Sequence, residues 1–128
     1  MSLQPPRPTD AELEILTILW SRGSSTVRQV HEAISRRRPA QYSTVLKFLQ
    51  IMAEKGLVRR NEAQRAHVYE AAQPREWTQR QLAGDLLRRA FGGSASNLLM
   101  GALSARKASK GELAELRKLL DEYEKGTK

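Results

Sequence analysis

Apolar residues recur at helical spacing in three early stretches of the chain. Leu13, Leu16 and Trp20, with Ile15 and Leu19 beside them, keep to one side of a helix that runs up to Arg22 and Gly23. Thr9 followed by Glu12 predicts a capping box at its start, where hydroxyl and carboxylate each satisfy a backbone amide. After Gly23-Ser24-Ser25, Thr26 can cap a second helix with Val27, Val30 and Ile34 on its apolar side. That helix ends in Arg36-Arg37-Arg38, before Pro39. A third helix is predicted from about Tyr42 to Lys55 and stops at Gly56, because glycine accepts the left-handed backbone that ends a helix. Its apolar arc holds Val45, Leu46, Phe48, Leu49, Met52 and Ala53. Ser43, Lys47, Gln50 and Glu54 lie opposite, with Thr44 and Ile51 on one flank. The pattern then changes: LVRR, a polar NEAQR turn and AHVYEA predict a β-hairpin.

Helix, helix, helix, hairpin is the element order of a winged helix-turn-helix. Pro74 marks a boundary, and three more helices follow: Arg75 to Phe91, Ser94 to Leu103, and Ser109 to Glu124. Gly92-Gly93 separates the first two. Ser109 and Glu112 predict a second capping box, opening a helix lined by Leu113, Leu116, Leu120 and Tyr123. The expected fold is mainly α with a small β-hairpin. A flexible, proline-rich arm (residues 1–8) precedes a winged domain (9–74) and a helical dimerisation region (75–128).

Charge sharpens this picture. The 128 residues carry a formal net charge of +8. Between Arg22 and Arg65 ten basic residues face only three acids, so nearly the whole surplus sits in the winged segment. Such a surface selects polyanionic partners, nucleic acid first. Cysteine is absent, which excludes disulfides and cysteine-based metal sites. His31 and His67 are the only histidines and have no metal-ligand spacing. No phosphate-cradling glycine loop or nucleophile elbow occurs. The expectation is a protein without catalytic activity, metal or cofactor. No apolar run approaches membrane-spanning length and no signal-peptide pattern opens the chain, so a cytoplasmic location without direct membrane binding is expected.

Candidate contacts follow from these placements. In helix-turn-helix proteins the second helix of the motif enters the major groove. Ser43, Thr44, Lys47 and Gln50 suit that role: hydroxyls contact phosphate or bases, Gln pairs with adenine, and Lys reaches guanine or phosphate. Tyr42 stands at the helix entrance, where it either touches phosphate or packs. Thr26 and Arg28 open the preceding helix and join the set. Arg59, Arg60 and Arg65, with His67, lie on or beside the hairpin, where guanidinium groups can grip the backbone. Arg36, Arg37 and Arg38 either approach phosphate or complement a helix dipole. The plain alternatives are a solvated helix face and a charged edge strand, or a winged module that binds protein rather than DNA. The last fifty or so residues carry Trp77, Leu82, Leu86, Phe91, Leu98, Leu99, Met100, Leu103, Leu113, Leu116 and Leu120, more apolar surface than three helices easily bury alone. A second copy is the expected cover, and an intramolecular bundle the alternative.

The segments TDAELEILTILW, YSTVLKFLQIMAEKGLVRR, HVYEA, FGGS and ELAELRKLLDE, in this order and spacing, resemble the penicillinase-repressor (BlaI/MecI) family. The resemblance implies a homodimeric repressor of palindromic operators near resistance or stress-response genes. It also implies operator contact by the start of the third helix, supporting Ser43, Thr44 and Lys47. In the best-known members a membrane-bound sensor metalloprotease cuts the dimerisation region at an Asn-Phe pair. That pair aligns with Gly101 and Ala102 here, so the chain departs from the family at its cleavage region. The copper-responsive branch uses a cysteine-rich motif, which this chain lacks.

Overall fold

The computed structural model describes residues 7–63 and 65–126. Apart from Arg7 and Pro8, the arm expected at residues 1–8 lies outside the described residues. The described residues up to Leu82 form one compact unit, and those from Ala83 a second.

The first unit runs α1 (Asp10–Arg22), β1 (Ser25–Thr26), α2 (Val27–Ser35), α3 (Tyr42–Lys55), β2 (Val58–Asn61) and β3 (Val68–Ala71). Both predicted early caps form. Thr9 Oγ1 accepts from Glu12 N at 3.2 Å while Glu12 Oε1 accepts from Thr9 N at 2.9 Å. Thr26 and Gln29 make the same reciprocal pair at 3.2 and 2.9 Å. Helix α3 spans its predicted residues and ends at Gly56, whose φ of 84° is one that side-chain-bearing residues rarely adopt. The amides of Gly56 and Leu57 turn back to the carbonyls of Ala53 and Met52, which directs the chain into β2.

The wing is a three-stranded antiparallel sheet of order β1-β3-β2, one strand more than the predicted hairpin. Ser25 pairs with Tyr69 and Thr26 with Val68. Two residues are too few for an alternating pattern to register. They become a strand because Gly23, at φ 87°, turns the chain beside β3. Across the other edge Val58 faces Ala71, Arg59 faces Glu70, and Arg60 faces Tyr69.

The core joins Ile15, Leu16, Ile18 and Leu19 of α1 to Val27, Val30 and Ile34 of α2. Val45, Leu49 and Met52 of α3, Val58 of β2 and Tyr69 of β3 complete it. One charged group lies within reach of this core. The Glu12 side chain is 2% exposed, and the Lys55 ammonium donates to its two oxygens at 3.0 and 2.9 Å. The pair ties the start of α1 to the end of α3. Burial alone raises the Glu12 pKa; the Thr9 backbone N–H, Lys55 and the Thr9 hydroxyl outweigh it and hold the carboxyl below its ordinary 4.5. The unfolded chain therefore takes up this proton first as pH falls. The resulting stabilisation is complete above the ordinary value and is lost as pH falls through the depressed one. Urea unfolding of the wild type should show a larger loss of stability between about pH 7 and about pH 3 than Glu12→Gln does. Equal losses would remove Glu12 from the acid response.

Helix α4 (Arg75–Ala90) runs from the first unit into the second. Its first turns stay with the winged core: Thr78 is buried, Trp20 Nε1 donates to the Gln73 carbonyl at 2.9 Å, and the Arg75 guanidinium lies 6.0 Å from the Trp20 ring centre. The division accordingly falls inside α4, past the expected boundary at Pro74.

The second unit continues through α5 (Ala95–Ala105) and α6 (Lys110–Gly126). Gly92 and Gly93, with φ of 55° and 83°, break the helix as predicted. Ser94 caps α5 by accepting from Asn97 N at 3.1 Å, and Ser109 accepts from Glu112 N at 3.1 Å. No residue of α5 or α6 is buried.

Candidate nucleic-acid interface

Helix α3 has to serve two surfaces. Val45, Leu49 and Met52 are buried, which leaves the remainder of its circumference for other contacts. The outward residues fall into two stripes. Tyr42, Leu46 and Gln50, at successive steps of four, line a groove with Thr26, Arg28, Arg60, Arg65, His67 and Tyr69. Ser43, Thr44 and Lys47 lie along the second stripe, around a shallow hollow shared with Phe48 and Ile51. The polar face anticipated from the sequence is therefore split between the wing side and the open side.

Strand alternation divides the wing arginines in the same way. Arg60 is two residues from buried Val58 and shares its face, so it lines the groove and pairs with Glu62. Arg59 points to the other face. Its guanidinium donates to the Ala72 carbonyl at 3.2 Å and lies 3.9 Å from Glu70. Arg59 is thus occupied away from the groove that gathers Arg28, Arg60 and Arg65.

Thr26 lines the groove, but its hydroxyl and amide are already committed to Gln29 in the cap. Its part in the site is to fix the first turn of α2, where Arg28 stands. Among the described residues no acid pairs with Arg28, Lys47 or Arg65, so these cations keep their full charge for an anion. Arg38, by contrast, is held by Glu14 at 2.6 Å, while Arg36 and Arg37 are exposed at the end of α2. Leu46 as the groove floor escaped the sequence reading. The signal was present, since it sits midway between Tyr42 and Gln50 at the helical repeat.

An Arg65→Ala variant should bind DNA more weakly whatever its sequence, and lower the slope of log affinity against log salt by about 0.9. An unchanged slope would take Arg65 out of the interface. Lys47→Ala should weaken binding to the protein's own upstream DNA more than to scrambled DNA. Equal losses would make Lys47 a backbone contact.

The described residues contain no group of three or more His, Asp or Glu side chains placed to hold a metal ion. Among them no helix is long and apolar enough to cross a membrane. The expected dimerisation residues are all at least partly accessible. Trp77 and Leu82 are half-buried in the first unit. In the second, Phe91, Leu98, Leu99, Leu113 and Leu116 are half-buried, while Leu86, Leu103 and Leu120 are exposed. Met100, Leu119 and Tyr123 of the second unit are likewise open to solvent, 61%, 48% and 71% exposed. Leu119 was not anticipated. Gly101 and Ala102 are exposed on α5, and a Cβ at Gly101 would meet the Phe91 ring at 3.4 Å.

Three helices, a three-stranded wing and a basic groove beside the last helix of the trihelical core define a winged helix-turn-helix protein. The chain belongs to the penicillinase-repressor family, whose sequence pattern matches residues 8–122. A penicillinase repressor of Bacillus licheniformis is 23% identical over 118 residues, 92% of each chain. A transcriptional regulator BlaI of Mycobacterium tuberculosis (strain ATCC 25618 / H37Rv) is 49% identical over 61 residues, 47% of this chain; the matched stretch spans 44% of that relative's length. Among solved structures, the monomeric form of Bacillus licheniformis BlaI in complex with the blaP half-operator superposes with a TM-score of 0.50 at 23% identity. That match covers 57% of this chain and 89% of the other. The DNA-binding domain of the repressor BlaI gives the same score at 24% identity, covering 56% and 88%. Both likenesses establish the winged fold.

Proposed function

We propose that the chain is a sequence-specific DNA-binding transcriptional repressor that acts as a homodimer on a palindromic operator. The observation that carries this reading is the groove between α3 and the wing, where Tyr42 and Gln50 meet Arg28, Arg60 and Arg65. Arginines flanking a recognition helix grip phosphates and set its register; Ser43, Thr44, Lys47 and Gln50 then meet base edges in the major groove. A relative's complex with a half-operator supports the same partner for this chain.

The second copy is argued from α4, α5 and α6. Their exposed leucines, Met100 and Tyr123 form a surface that water would leave costly, and a twofold partner covers it while presenting two recognition helices to successive half-sites. Bound there, the dimer blocks polymerase access, with resistance or stress-response genes as the class regulated, in the cytoplasm. A membrane sensor metalloprotease would relieve repression in the region of Gly101 and Ala102. The family's Asn-Phe pair is absent there, so its specificity must differ.

Titrating the purified chain against its own upstream DNA and a scrambled duplex, in about 0.15 M salt, should give at least a thousandfold preference, in line with specific DNA binders. Light scattering should give twice the chain mass. Equal affinity for both duplexes would leave a winged module that binds protein instead.

A further inference from the structure

Helices α1 and α2 both begin with a side-chain cap, whereas Gln41, at the same position of α3, makes no side-chain cap bond. The start of α3 is held by another residue. His31, half-buried on α2, reaches across the turn, and its Nε2 lies 2.8 Å from the Ala40 carbonyl oxygen. With that nitrogen protonated the imidazole donates to Ala40, and the Ser35 hydroxyl oxygen lies 3.3 Å from the same nitrogen. The same ring stands edge-on to Tyr42, with centroids 5.7 Å apart and planes at 74°. One side chain thus grips both neighbours of Gln41.

We propose that His31 is a positioning residue for DNA recognition: it sets the Tyr42 ring at the mouth of the α3 groove and anchors the turn that aims α3. Tyr42 is 48% exposed, and among the described residues His31 is its only aromatic neighbour. An aromatic ring that open to water needs a supporting wall to stay in one rotamer, and an edge-to-face partner supplies it. The ring in turn lines the groove beside Arg28 and Gln50. Among the described residues no metal-holding group of His, Asp and Glu includes His31, and its contacts are with Ala40, Ser35 and Tyr42. This inference rests on the DNA-binding reading and adds a residue that does not itself reach the duplex.

The test uses the full chain and fluorescence anisotropy on the upstream duplex and its scrambled counterpart. His31→Ala should weaken upstream binding about tenfold, the combined worth of a hydrogen bond and an aromatic contact, and change scrambled binding less than about twofold. His31→Phe keeps the ring and loses the donor, and should recover about half of that loss on a logarithmic scale. In a Tyr42→Ala background, removing His31 should cost less than about threefold, because the route through Tyr42 is gone. Circular dichroism checks the fold. If His31→Ala unfolds, His31→Leu, which fills the space but loses both ring and donor, carries the same comparison with and without Tyr42→Ala. Wild-type-like discrimination in both single variants overturns the proposal, as does an equal loss with and without Tyr42. If the wild type itself fails to distinguish the two duplexes, the DNA-binding reading falls before any His31 variant is read.

Discussion

Leu120→Glu is expected to make the chain monomeric and to weaken its binding to a duplex with two half-sites by at least about a hundredfold. Leu113, Leu116, Leu120 and Tyr123 recur at steps of three and four along α6, and Leu120 is 58% exposed. A stripe like this is favourable only when a second apolar face covers it. A carboxylate placed in such an interface loses its water and finds no partner, a penalty of several kcal/mol. Exposed as Leu120 is in the single chain, the same carboxylate stays solvated in the monomer, so the fold is spared and the proposed dimer is not. Operator affinity then falls because the second half-site is no longer bound at the high effective concentration that linkage provides. Affinity for a single half-site should stay within about twofold of the wild type, since no core residue of the winged unit lies in α6. Light scattering and anisotropy on one-site and two-site duplexes check both statements. A variant that remains dimeric, or that keeps two-site affinity, removes α6 from the interface.

How much of this was legible before the fold was seen depends on the range of the interaction. Local chemistry was readable: Thr9 with Glu12, Thr26 ahead of Val27, and Gly56 after Lys55 each state a helix end within a few residues, and each end forms as stated. Helix α3 was complete in its periodicity. Division of its polar face into two stripes was not legible, because that depends on where the wing comes to rest. The sequence reading grouped Arg59 with Arg60, although alternation along a strand puts neighbours on opposite faces. Which of them faces the groove followed only from Val58 entering the core, two residues before Arg60. Contacts between distant residues left no trace in the pattern. The Glu12–Lys55 pair spans 43 positions and the Trp20–Gln73 bond 53. The short strand β1 belongs to the same class, since two residues have no period and gain their pairing entirely from β3.

Leu49→Ala should remove about 3 kcal/mol of stability, a large part of what a small domain possesses. Leu49 is fully buried and lies in the middle of the inner stripe of α3, between Val45 and Met52. Its truncation forfeits the transfer energy of the lost carbons and leaves a hole that the surrounding helices fill only in part. Urea unfolding should show the midpoint falling with its slope unchanged. A loss below about 1 kcal/mol would mean that the core collapses around the site, contrary to the close packing inferred here. The same variant separates the two duties of α3. Tyr42, Leu46 and Gln50 face the groove from the adjoining stripe, so protein that stays folded at low temperature should keep its preference for upstream over scrambled DNA. Lys47→Ala should do the reverse, leaving stability within about 0.5 kcal/mol and lowering the preference, because its side chain is exposed and bears on no core residue. Opposite responses from two positions on one helix would locate fold on its inner stripe and recognition on its outer ones. A loss of preference in folded Leu49→Ala would instead show that the groove geometry is set by core packing beneath it.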